Sequence, residues 1–160
     1  MRWRFILNIL GVLLFFFGLT MIFPFLVGLY YREKSLIPLS ASMAITALAG
    51  LILYYFFRKA KAEVITQREG MAIVAAGWTA VGLFGALPFY LGDVYFTVTD
   101  AVFESVSGFT TTGASILNNI EAVSKGLLFW RSFIQWLGGM GLSLIHISEP
   151  TRQVLVSRMP

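Results

Sequence analysis

The chain is 160 residues long, 58% hydrophobic and 12% charged, with a mean hydropathy of +0.79. A soluble domain carries about 25% charge, so this sequence has too little polar material to cover a water-facing exterior, and it reads as a multi-spanning membrane protein. The absence of cysteine excludes disulfides and thiolate chemistry, and the net charge of +4 sits in short clusters between oily stretches, as topology signals do and nucleic-acid surfaces do not.

In chain order, Phe5 to Tyr31 carries no charge and is long enough for one tilted membrane helix, kinked by Pro24. Its apolar run is too long for a signal peptide, so it reads as a retained helix. Ser35 to Phe57 is a second charge-free span, and Gly70 to Gly92 a third with Pro88 near its end. Ala122 to Gly141 is a fourth, interrupted by Arg131. Between the second and third spans lie Arg58, Lys59, Lys61 and Arg68, and basic loops stay in the cytoplasm. That places the N-terminus, with Arg2 and Arg4, in the cytoplasm as well. The Arg32–Lys34 loop then falls outside, its charge softened by Glu33, and the 93–99 loop falls on the same side.

The segment 97–115 must leave the outer surface and come back to it. Thr97 to Asp100 fits the S/T-x-x-D/E pattern of a helix start. A helix over about 99–107 is roughly 13 Å long at 1.5 Å per residue, against a bilayer core of about 30 Å. It enters and stops about halfway. Gly108 is the expected stop and turn, since glycine accepts positive φ without penalty. Phe109 to Ala114 are then expected to run extended, back towards the surface. Exposed backbone at such depth is tolerated only where protein buries it or where it lines a water-filled path.

In such a strand, backbone carbonyls and threonine hydroxyls can replace the hydration shell of a cation. Thr110, Thr111, Thr112 and Gly113 are the candidate lining. No carboxylate stands between Ser105 and Ile120, and a ring of neutral oxygens suits potassium better than Ca²⁺ or Mg²⁺. The negative end of the short helix, near Ser107, favours a cation there as well. The same Thr-Thr-Thr-Gly run could be a plain loop whose threonines bond their own backbone. Glu104 and Arg131 are ionisable residues expected inside the membrane at similar depth, either paired with each other or satisfied separately. The glycines of Trp136 to Gly141 read as close helix contacts or as a hinge.

The blocks "REGMAIVAAGWTAVGLFGALPFYL", "TDAVFESVSGFTTTGAS" and "LLFWRSFIQWLGGMG" resemble, in order, the first repeat of the Trk/Ktr/HKT potassium transporter family, and within it the bacterial Trk membrane subunits. The resemblance covers about residues 1–141. It implies two leading helices and a cytoplasmic loop (1–69), then a first pore repeat (70–141). That repeat comprises helix 70–92, pore helix 99–107, filter 110–114 and helix 122–141. It implies an all-α membrane fold like that of potassium channels, four linked repeats around one potassium pathway, a homodimer, and a cytosolic nucleotide-binding regulatory subunit. It places ion coordination on Thr111, Thr112 and Gly113, with Thr110 below. It implies potassium as the transported ion, with no cofactor, in the bacterial cytoplasmic membrane.

From Leu142 onward the chain changes character and shows no helical period. Residues 142–160 resemble the conceptual translation of a sequencing adapter, which would make His146 no ligand and leave the chain a fragment. Two other functions stay open. A membrane-embedded enzyme lacks support, because Asp93, Asp100, Glu104 and Glu121 are scattered and form no triad or paired-acid site. A non-transporting structural or assembly subunit follows if the threonine run is only a loop.

Overall fold

The computed structural model describes residues 2–33, 35–58, 66–92, 97–117 and 120–148, with backbone only for Ala122 and 142–148. Lys34, Lys59, Lys61, Asp93, the His146 side chain and the tail from residue 149 lie outside the described side chains or residues. Described residues form helices α1 (Trp3–Thr20), α2 (Ile22–Tyr30), α3 (Leu36–Phe57), α4 (Gln67–Gly85), α5 (Leu87–Leu91), α6 (Val98–Phe109) and α7 (Lys125–Ser148), with a 3₁₀ turn at Ile120–Ala122 and no strand.

Among the described residues, three stretches are long and apolar enough to cross a membrane: Trp3–Tyr30, Leu36–Phe57 and Gln67–Leu91. Two of them are broken by the same device. Proline lacks an N–H and its ring clashes with the carbonyl four residues back. The first stretch accordingly breaks at Met21, just before Pro24, and the third at Ala86, just before Pro88. Pro38 sits in the first turn of α3, where a missing N–H costs nothing, and that helix is continuous.

α1 and α3 pack closely through small residues, the usual solution where lipid supplies no hydrophobic drive between helices. A methyl on Gly50 would lie 2.4 Å from the Phe15 nitrogen, and one on Gly11 would lie 2.6 Å from the Tyr54 nitrogen. The core gathers where α1, α4, α6 and α7 meet. Phe17 of α1 packs in a tilted arrangement against the Phe109 ring of α6 at 5.5 Å and the Trp130 ring of α7 at 5.6 Å. The Trp130 indole N–H donates to the Gly85 carbonyl at 3.0 Å. Outside that core the surface is apolar: Tyr30 and Ile37 are 82% and 78% exposed, which suits lipid and not water.

α7 departs from the expected fourth span at both ends. It starts at Lys125, after the 3₁₀ turn, and its backbone stays helical through Ser148. The expectation of a tail without helical order from Leu142 is corrected for these first residues. Leu142 to Ser148 contains neither glycine nor proline, so nothing local stops the helix.

Candidate functional site

The site is the turn that follows α6. As the sequence suggests, Thr97 caps this helix: its hydroxyl accepts the Asp100 N–H at 3.1 Å. Twelve residues make α6 about 18 Å long. Its far end lies deep: Thr110 shares an apolar groove with Trp78 and Thr79, midway along Gln67–Leu91. The chain then reverses. Thr111 lies near Gly139 of α7, Gly113 near Gln135, and Ile116 is back beside Glu104. Helix in and irregular chain out form a hairpin that reaches half the depth of its neighbours.

Gly108 is not the turn. It is a buried helical residue of α6, and the described glycine with positive φ is Gly113, at 73°. Gly108 serves a close approach instead: a methyl there would meet Ile134 of α7 at 2.7 Å. Phe109 is helical too, so the extended path begins later than expected, at Thr112. The turn is a Schellman motif. The Thr112 N–H donates to the Ser107 carbonyl at 3.1 Å and the Thr111 N–H to the Gly108 carbonyl at 2.9 Å. Thr111 holds the left-handed position, φ 57°, where glycine is usual.

Ser107, absent from the candidate lining, is the hub. Its carbonyl also accepts the Gly113 N–H at 3.4 Å, and its hydroxyl donates to the Ala114 carbonyl at 2.6 Å. The Thr110 hydroxyl donates to the Val106 carbonyl at 2.9 Å and lies 2.8 Å from the Thr112 hydroxyl. Among the described residues, no hydrogen bond reaches the carbonyls of Thr110, Thr111 or Thr112. Thr110, Thr112 and Gly113 are exposed.

Glu104 and Arg131 are brought together, and they bracket the returning irregular chain. The Arg131 Nε donates to Glu104 Oε1, while its Nη2 reaches the Gly113 carbonyl at 3.4 Å. The other Glu104 oxygen accepts from the Ser115 hydroxyl at 3.1 Å and the Ile116 N–H at 3.4 Å. Glu104 is 1% exposed, so the cost of burying its charge is met by one cation and two further donors. A carbonyl has two lone pairs, so the Gly113 oxygen keeps one beyond its bond to Arg131.

The TrkH family model, described as "Cation transport protein", matches residues 39–149, more than half of the chain. The chain belongs to the TrkH family of cation transport proteins. The family is one of cation transport proteins, and the chain's described residues hold three stretches long and apolar enough to cross a membrane, in keeping with a multi-pass membrane fold. It is 41% identical over 149 residues to a Trk system potassium uptake protein TrkH of Halomonas elongata, covering 92% of this chain and 31% of that one. It is 40% identical to the protein of that name in Escherichia coli, with the same coverage. An uncharacterized cation transporter of Methanocaldococcus jannaschii is 35% identical over 140 residues, 88% of this chain and 29% of its own. Among solved structures, the potassium transporter TrkH from Vibrio parahaemolyticus superposes with a TM-score of 0.84 at 38% identity, over 92% of this chain and 32% of that one. The chain thus spans about 30% of the length of these TrkH relatives.

Proposed function

We propose that the whole protein takes up potassium across the bacterial cytoplasmic membrane, and that this chain carries the first of four filter segments. The observation that carries this reading is the tip of the half-depth hairpin. There the Thr110, Thr111 and Thr112 carbonyls accept no hydrogen bond from a described residue, and neutral oxygens are the ligands a dehydrated potassium ion takes. Gly113 contributes its left-handed backbone and its carbonyl, while Glu104, Arg131 and Gly108 hold the turn in place. The names of the relatives, potassium uptake proteins and a potassium transporter, agree with this ion.

The same reading takes 1–69 as two leading helices and their cytoplasmic loop, and 70–141 as the first pore repeat. It includes a homodimer and a cytosolic nucleotide-binding regulatory subunit, with the N-terminus in the cytoplasm. Residues 142–160 are read as adapter-derived; genomic sequence continuing as coding sequence past Gly141, in place of adapter, would overturn that assignment.

Complementation tests the transport reading. The full-length gene in an uptake-deficient strain restores growth at low potassium, and Gly113→Ala lowers the preference for potassium over sodium. A well-expressed full-length protein that fails to rescue growth rules the reading out.

A further inference from the structure

The first turn of α7 has free N–H groups that its own sequence does not satisfy. Ser124, the natural local cap, has a buried hydroxyl with no hydrogen-bond partner among the described residues. The cap comes from a distant residue. The Glu33 carboxylate accepts the Lys125 N–H at 3.0 Å through one oxygen and the Gly126 N–H at 3.2 Å through the other. A negative charge there also complements the helix dipole.

Glu33 is presented by a tightly wound turn. Arg32 has a φ of 52°, and the Glu33 N–H donates to the Gly28 carbonyl at 3.1 Å. The Ser35 hydroxyl lies 3.5 Å from Glu33 Oε2. Beneath it the ends of α2, α3 and α7 are packed without slack: a methyl on Gly126 would lie 3.0 Å from the Ser35 hydroxyl and 3.3 Å from Gly28 Cα. Lys125 folds its ammonium over the Tyr31 ring, 4.1 Å from the centroid, which adds a second tie at the same joint.

We propose that Glu33 is a positioning residue for the hairpin tip. It fixes where α7 begins along its axis, and α7 carries Arg131 about 9 Å further on at helical rise. Arg131 in turn holds Glu104 and the Gly113 carbonyl. Glu33 touches neither the tip nor an ion; it acts through the register of one helix. This inference rests on the potassium-filter reading of the tip.

The test uses the full-length protein in lipid nanodiscs and proteoliposomes, with Glu33→Ala, Glu33→Gln and Glu33→Asp. Amide exchange over 125–131 accelerates at least tenfold in Glu33→Ala. The ratio of potassium to sodium uptake falls at least threefold, and Glu33→Asp, which keeps the charge, recovers part of both. A ratio between ions is insensitive to how much protein reaches the membrane, and Glu33→Gln supplies it should the alanine variant fold poorly. Unchanged exchange overturns the clamp, and faster exchange with an unchanged ratio overturns its role at the tip. A wild-type protein that moves no potassium defeats the filter reading and this role with it, while the exchange arm still decides whether Glu33 holds α7.

Discussion

Thr111 occupies a left-handed backbone position that costs a residue with a Cβ roughly 1–2 kcal/mol. The two Schellman bonds and the Ser107 hub offset that cost, and the side chain gains a position at the tip that glycine could not fill. Composition alone does not reveal such a turn. Gly108 is the residue that propensity selects, and it is spent on contact with Ile134 instead. The pairing of Glu104 with Arg131 was more accessible, because both were expected at similar depth on neighbouring elements and neither had another charge to meet. A double-mutant cycle of Glu104→Gln and Arg131→Met in the full-length protein, read by thermal or denaturant unfolding, is expected to give a coupling of roughly 1–3 kcal/mol. Additive losses would mean that each group is held by its other partners alone.

At the scale of elements, α7 is the surface against which the hairpin is set. Ile134 fills the space left by Gly108, and Gly138 lies under the end of α6. A methyl on Gly138 would lie 1.9 Å from the Phe109 carbonyl oxygen, a backbone atom that cannot swing aside. A methyl on the adjacent Gly139 would meet only the Thr111 side chain, at an ordinary 3.7 Å. Gly138→Ala should therefore destabilise the full-length protein by roughly 1–3 kcal/mol through overpacking, while Gly139→Ala should be tolerated. Equal unfolding temperatures for the two variants would contradict this geometry. The contrast favours close packing over a hinge for this glycine cluster. Sequence spacing could name both glycines as contact residues but could not rank them, since the ranking depends on how α6 and α7 face each other.

For the whole molecule, two ties made by glutamate carboxylates close opposite ends. At one end Arg2 joins the first turn of α4: its Nη2 lies 2.8 Å from Glu69 Oε2, and its backbone N–H donates to Glu69 Oε1 at 3.0 Å. Glu69 is also the partner of Thr66 in a capping box. At the other end Glu33 joins α7. Residues on the same expected side of the membrane thus meet each other, Arg2 with the start of α4 and the 32–33 turn with the start of α7. The proposed pathway needs oxygens from four hairpins, and the described residues form one. Expressed alone, residues 1–141 should give no rescue of an uptake-deficient strain at low potassium, whereas the full-length protein should. Rescue by the fragment would require a different pathway or assembly of several copies.

By itself the sequence determined the all-helical membrane class, the three long apolar stretches with the kink at Pro24, and the expectation of a short helix that stops partway. These follow from hydropathy, residue counts and fixed helical rise, which are local quantities. Glu33 as the cap of α7, Ser107 as the hub of the turn, Thr111 in the left-handed position and Gly108 in a helix were decided by tertiary structure. Each depends on a partner distant in sequence or on an unfavourable local state that surrounding contacts stabilise. Local propensity carries no information about either.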